Sequence, residues 1–146
     1  MMLIDLTSHL TRSTFAIRRQ PQIAPPVRIL HVDDEPDIRE LVELSLGLEP
    51  DLVTRSCGSG KEALAVAAEW KPNLILLDLI MPGMGGVGTL ARLRIREDSR
   101  TPVVFMTGLR RADEPEYFRF LGAAGVIFKP FEPAALAASV REFLHL

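Results

Sequence analysis

Four short apolar runs in this chain each stop on a polar residue. Ile29-Leu30-His31-Val32 ends at Asp33-Asp34, Leu74-Ile75-Leu76-Leu77 at Asp78, Val103-Val104-Phe105-Met106 at Thr107, and Val126-Ile127-Phe128 at Lys129. Runs this short, bounded by turn residues, read as strands buried on both faces. Buried strands of this kind need helices on either side, and their C-terminal ends border the crevice where open parallel sheets bind ligands. If the runs are neighbours, three carboxylates, a hydroxyl and an ammonium converge on one rim.

The intervening segments supply the helices. Val27–Val32 is the first strand. Ile38, Leu41, Val42, Ser45 and Leu48 give one face of the helix that follows, with Asp34 or Asp37 as its N-terminal cap. Leu52–Ser56 lacks a long core run and reads as an edge strand, followed by a helix over Ser59–Trp70 with Leu64, Ala67 and Ala68 inward. Leu74–Asp78 is the third strand, Gly86–Arg96 the third helix, Val103–Thr107 the fourth strand and Asp113–Leu121 the fourth helix. Val126–Phe128 is the fifth strand. A last helix opens near Pro133 and packs Leu136, Val140, Phe143 and Leu144. Five βα units with short connections predict an α/β fold: a parallel, doubly wound sheet with helices on both faces.

The 146 residues suit one domain with one core, and a composition 47% hydrophobic and 25% charged is that of a globular protein. A net charge of −2 with dispersed basic residues gives no electrostatic footprint for nucleic acid. Cys57 is the lone cysteine, which excludes an intramolecular disulfide and argues against a cysteine zinc site, as in a reducing cytosol. His9, His31 and His145 show no ligand spacing, and no apolar run approaches the ~18 residues of a membrane span. A secretory signal is also missing from residues 1–20. Composition changes at Pro25-Pro26. Residues 1–24 read as a flexible N-terminal tail, although Leu3, Leu6, Leu10 and Ile17 fall loosely at helical spacing; residues 25–146 form the domain.

Asp33, Asp34 and Asp78, crowded together, would repel one another unless a cation joined them. All-oxygen ligation without His or Cys favours Mg²⁺, or Mn²⁺, over zinc. Mg²⁺ keeps positions for phosphate oxygens, while Lys129 can neutralise one phosphoryl oxygen and Thr107 can hydrogen-bond another. Phosphoryl transfer asks mainly for such positioning and charge, and a carboxylate can accept the group.

With these residues in view, the run from Val27 to Leu146 resembles the receiver domain of two-component response regulators. The resemblance is carried by Val32-Asp33-Asp34-Glu35-Pro36, by Leu77-Asp78 with Met81-Pro82-Gly83-Met84, by Met106-Thr107-Gly108 and by Lys129-Pro130-Phe131. Asp34 and Asp78 are 44 residues apart, Asp78 and Thr107 29, and Thr107 and Lys129 22. The resemblance implies a flavodoxin-like sheet of strand order 2-1-3-4-5. It makes Asp78 the phosphoacceptor, served by a histidine kinase or a histidine phosphotransfer protein. Asp33 and Asp34 match the acidic pair that holds Mg²⁺ with Asp78, Asp34 being the more direct ligand, and the main-chain carbonyl of Ile80 matches a further one. Thr107 matches the switch hydroxyl, beside Gly108, and Lys129 the phosphoryl-binding lysine. Pro130 stands where this family commonly has a cis peptide bond.

Two places depart from the family pattern. Val126 replaces the Tyr or Phe whose ring commonly turns with the switch hydroxyl, so no ring can swing there. The loop after Asp78 reads Pro82-Gly83-Met84-Gly85-Gly86, without the acidic residue that often precedes the third helix, which weakens that helix's cap. Ile80 and Leu109, two residues after Asp78 and Thr107, are apolar where fast self-hydrolysis would favour polar groups; they should shield the acyl phosphate and slow its loss.

Blander readings compete at single positions. An Asp pair can end a strand and cap a helix, Thr107 can cap a turn, and Lys129 can be a solvated charge, but not all at these spacings. His31 reads as a packed strand histidine. Gly58-Ser59-Gly60-Lys61-Glu62 imitates a phosphate loop but lacks its first glycine and its Ser or Thr. Tyr117, Phe118 and Phe120 cannot all point inward.

The functional expectation is a cytoplasmic phosphorylation-controlled signalling protein, a monomer or weak dimer. It is no enzyme beyond its own Mg²⁺-dependent phosphorylation and dephosphorylation. Its output is protein contact through the fourth helix, fifth strand and fifth helix, since no residues follow the last helix to build an output domain. The alternative is the receiver piece of a larger transcription factor, hybrid kinase or cyclic-nucleotide enzyme. A metal-dependent phosphatase ranks below both, because it needs a general acid where Ile80 stands.

Overall fold

The computed structural model describes residues 24–96, 100–108 and 114–146, with the side chains of residues 114 and 115 excepted. Ten elements alternate: β1 Val27–Val32, α1 Pro36–Gly47, β2 Leu52–Cys57, α2 Gly60–Trp70, β3 Leu74–Asp78, α3 Gly85–Ile95, β4 Val103–Thr107, α4 Glu114–Phe120, β5 Gly125–Phe128 and α5 Pro133–Leu144. The five strands are parallel in the order β2-β1-β3-β4-β5, so β2 lies at an edge as its weak core pattern implied. This is the flavodoxin-like α/β sheet expected from the sequence.

Side-chain alternation along the strands divides the core in two. Leu30, Val32, Ile75, Leu77, Val103 and Phe105 face one side, where Ala63 and Leu64 of α2, Leu90 and Leu93 of α3 and Phe118 of α4 cover them. Ile29, Leu74, Leu76, Val104 and Met106 face the other, under Val42 and Leu46 of α1 and Leu136, Ala137 and Val140 of α5. Both faces of β3 and β4 are therefore buried, which is why those runs are continuously apolar.

Several local expectations need correction. Neither Asp34 nor Asp37 caps α1: the N-cap is Glu35, without a side-chain hydrogen bond, and Pro36 opens the helix. A proline at the first helical position removes an N–H that would have lacked a partner anyway. The buried residues of α1 are Val42, Ser45 and Leu46, whereas Leu41 is 36% and Leu48 84% exposed. Helix α1 ends at Gly47, so Leu48 is carried past its core-facing stripe. On α2 the inward residues are Ala63, Leu64 and Ala67, with Ala68 outward. Ser59 caps α2 by accepting from the Glu62 N–H, and the Glu62 carboxylate accepts from the Gly58 N–H. The glycine-serine run there is thus a helix start of capping-box type. Strands β2 and β5 are each one residue longer than expected, at Cys57 and Gly125. The expected tail up to residue 23, Leu109 and Asp113 lie outside the described residues.

Candidate functional site

Strand register builds the rim. Val32 pairs with Leu77, so Asp33 and Asp78 follow at the same level; Asp78 pairs with Met106, placing Thr107 one step on; Thr107 pairs with Phe128, placing Lys129 one step beyond that. Four chain segments far apart in sequence thereby deliver their polar ends to one edge.

Asp33, Asp34 and Asp78 each offer a carboxylate oxygen, and the three oxygens lie within 4.8 Å of one another. Asp33 is fully buried and Asp78 nearly so, while Asp34 faces solvent. Asp33 is held on every side. Its Oδ1 accepts from the Glu35 N–H at 2.9 Å, its Oδ2 from Lys129 Nζ at 2.7 Å, and its main-chain carbonyl from Arg39 Nη1 at 2.7 Å. Arg39, one turn into α1, was not singled out in the sequence; a lone arginine on a solvated helix carries no distinguishing pattern.

Lys129 Nζ also lies 3.5 Å from Asp78 Oδ1. Burial pushes the Asp78 carboxyl up to about 6, aided by the charge of Asp33 and opposed by Lys129 and a backbone hydrogen bond at Ile80. Burial would lower Lys129, but its hydrogen bond to Asp33 and the charges of Asp33 and Asp78 outweigh that and raise it. The ammonium is therefore kept charged beside the acids. Three oxygen donors, one of them open to solvent, beside a fixed cation suit a hard divalent ion and a phosphoryl group, so the donor set fits Mg²⁺.

Thr107 is buried at the end of β4, and Gly108 is exposed with none of the described residues within 4 Å of where a Cβ would stand. Ile80 lies 63% exposed beside the acids. The Lys129-Pro130 peptide bond is cis. Val126 is half-buried and packs against the core beneath α4. In the loop after Asp78, Gly83 and Gly85 take positive φ of 81° and 70°, which favours glycine. A Cβ on Gly86 would lie 2.5 Å from the carbonyl oxygen of Asp78, so only glycine lets α3 start this close to the acid. That helix has Met84 at its N-cap and no side-chain cap, as the missing acidic residue implied.

His31 reads correctly as a packed strand histidine, at 0% exposure, but its surroundings are not apolar. Its Nε2 lies 3.9 Å from Asp33 Oδ2, and among the described residues neither ring nitrogen has a hydrogen-bond partner. Burial lowers its pKa to about 4 against the pull of Asp33, so the ring is neutral at pH 7. Of the three aromatic residues on α4, Phe118 is buried against Phe105 with ring centroids 5.0 Å apart, while Tyr117 and Phe120 are 52% and 87% exposed.

A parallel 2-1-3-4-5 sheet with an acidic cluster, a hydroxyl and a lysine on its C-terminal rim defines a class of phosphoryl-handling signalling domains. Residues 29–141 match the response regulator receiver domain, and the chain belongs to that family. It is 38% identical over 118 residues to the DNA-binding response regulator MtrA of Mycolicibacterium smegmatis, covering 81% of this chain and 50% of MtrA. The chain thus spans about half the length of the curated relatives it matches. Among solved structures it is similar to the chemotaxis response regulator CheY4 of Vibrio cholerae, with a TM-score of 0.74, 27% identity and coverage of 81% of this chain and 98% of that one. The receiver domain of NtrX from Brucella abortus gives 0.72 and 31%, covering 80% and 98%. The chain is a signal-transduction domain of the two-component type. Among the described residues no helix is long and apolar enough to cross a membrane.

Proposed function

We propose that this domain accepts a phosphoryl group on Asp78 from the phosphohistidine of a histidine kinase or histidine phosphotransfer protein. The observation that carries this reading is the ammonium of Lys129 set between the Asp33 and Asp78 carboxylates, beside the three-carboxylate cluster. An Asp78 carboxylate oxygen attacks phosphorus as the N–P bond of the phosphohistidine breaks, and the donor imidazole, already protonated on its other ring nitrogen, takes the electron pair and leaves neutral. Hydrolysis later restores the carboxylate and releases inorganic phosphate. Asp33, Asp34, Asp78 and the main-chain carbonyl of Ile80 would hold Mg²⁺, or Mn²⁺ in its place, which when bound offsets the negative charge of the phosphoryl oxygens. Lys129 holds one of those oxygens, and Thr107 and the Gly108 N–H supply donors to others.

The phosphorylated domain signals by biasing two arrangements of its α4, β5 and α5 face. The exposed Tyr117 and Phe120 on that face support protein contact there. With Val126 in place of a ring, movement of Thr107 is transmitted by backbone and packing rather than by an aromatic rotamer. The reading carries a cytoplasmic location and a monomer or weak dimer. Ile80 and Leu109 offer water no hydrogen bond, so self-hydrolysis is slow and a partner or phosphatase sets the lifetime of the signal.

Labelling by acetyl phosphate or a kinase in the presence of Mg²⁺ tests the assignment: Asp78→Asn should take up no phosphoryl group, and acid-labile labelling of that variant elsewhere refutes it. Ile80→Asn with Leu109→Glu should accelerate phosphate loss from the native chain; equal rates would remove the shielding argument. The half-length match to MtrA favours a second reading, in which the domain is the receiver piece of a longer transcription factor. Whether the natural reading frame continues past Leu146 decides it.

A further inference from the structure

The rim holds one buried polar side chain that the proposed phosphotransfer does not use. His31 is fully buried on β1, two residues before Asp33, and among the described residues neither ring nitrogen has a partner. Its register partner on β2 is Ser56, whose hydroxyl oxygen is likewise buried and unpartnered. Leaving buried donors and acceptors unmatched is costly, so any state that matches them gains free energy.

Asp33 supplies that second state. Its Oδ2 accepts the Lys129 ammonium at 2.7 Å, the same ammonium that lies 3.5 Å from Asp78. A phosphoryl group on Asp78 adds charge and oxygen acceptors on the Asp78 side of Lys129 and competes for it. If the ammonium leaves, the Asp33 carboxylate would still share Mg²⁺, but its Oδ2 loses its hydrogen-bond donor. The nearest replacement is Nε2 of His31, 3.9 Å from that oxygen. Closing by about 1 Å gives an ordinary N–H···O length. A neutral imidazole has one N–H, and a Ser56 hydroxyl donating to Nδ1 would keep that proton on Nε2.

We propose that His31 is a positioning residue held in reserve for Lys129: when phosphorylation draws the ammonium toward Asp78, the Nε2–H of His31 closes on the Asp33 carboxylate and keeps it in place. The inference rests on Asp78 as phosphoacceptor. It makes His31 a contributor to the phosphorylated state and a liability to the unphosphorylated one.

Binding of beryllofluoride, a phosphoryl mimic, to the full chain with Mg²⁺ tests this, read by fluorine NMR and by the histidine ring protons. His31→Leu should weaken beryllofluoride binding about tenfold, the loss of one charge-assisted hydrogen bond. His31→Gln, which keeps a donor, should recover most of it. The unliganded His31→Leu protein should unfold at the same temperature as the native chain or higher, since Leu strands no polar atom. In the native chain the His31 Nε2–H signal, assigned by its loss in His31→Leu, should move downfield with beryllofluoride and not with Mg²⁺ alone. Native affinity in His31→Leu overturns the proposal. So does the downfield signal with Mg²⁺ alone, or a loss of unliganded stability that accounts for the weaker binding. Failure of the native chain to bind beryllofluoride at all is a separate outcome, and it overturns the phosphoacceptor reading together with this one.

Discussion

Lys129 Nζ lies 2.7 Å from Asp33 Oδ2 and 3.5 Å from Asp78 Oδ1, so one ammonium serves two buried carboxylates at once. Removing it deprives both of the cation paired with them. Lys129→Met should therefore destabilise the unliganded domain by about 3 kcal/mol at pH 7, as breaking a buried ion pair does. At pH 5, where Asp78 is largely protonated, the cost should shrink. Urea unfolding at the two pH values measures both, and an equal cost at each would deny the coupling.

The same geometry fixes the sign of the effect of Asp78 on stability. Its carboxyl is pushed up to about 6 by burial and then by Asp33, so the folded chain binds that proton more tightly than the unfolded chain does. Stability from this group is present below about pH 4 and is lost as pH rises through about 6. Asp78→Asn should accordingly stabilise the unliganded protein at pH 7, by up to about 3 kcal/mol, and change little at pH 4. A variant that melts lower than the native protein at pH 7 would contradict this.

Mg²⁺ should compete with that proton. Its affinity is expected to be flat above about pH 7 and to fall roughly tenfold per unit below about 6, because a protonated Asp78 is no ligand. Calorimetric titration in buffers of different ionisation enthalpy should also detect proton release on binding near pH 6.

On α4, two aromatic residues on either side of Arg119 should behave oppositely. Phe118, 2% exposed and packed on Phe105, should cost about 3–5 kcal/mol when replaced by alanine. Phe120, 87% exposed, should change stability by less than about 0.5 kcal/mol. If Phe120→Ala instead weakens the response of a downstream partner while leaving labelling intact, the exposed ring belongs to the output face.

Two glycines make a matching contrast. At Gly47, the last residue of α1, a Cβ meets none of the described residues within 4 Å, so Gly47→Ala should stabilise by about 0.5–1 kcal/mol. At Gly86 a Cβ would lie 2.5 Å from the Asp78 carbonyl oxygen and 2.7 Å from the Leu79 Cα. Gly86→Ala should cost about 1–3 kcal/mol and displace the acid, lowering the phosphorylation rate as well.

The strands, their parallel arrangement and the acidic rim were legible in the chain because each rests on a local pattern. An apolar run ending in a polar residue marks a doubly buried strand whichever neighbours it meets, and Asp33, Asp78, Thr107 and Lys129 take their places from strand ends alone. The buried stripe of α1 was less legible. Leu41, Leu46 and Leu48 are equally apolar, and it is the packing of the helix on the sheet that buries Leu46 and leaves the other two exposed. Likewise the start of α1 at Pro36 put its N-cap at Glu35 rather than at Asp34 or Asp37.

What the amino-acid order determined by itself was the succession of elements and the residue type at each strand end, since periodicity and turn chemistry act over a few neighbours. What only the tertiary structure decided was pairing across long separations: Lys129 with Asp33, 96 residues apart, and Arg39 with the Asp33 carbonyl. The placement of His31 beside Asp33 with no partner of its own was decided there too. Charge, burial and competition for one ammonium depend on distances in space, and those exist only once β1, β3 and β5 are laid in one sheet.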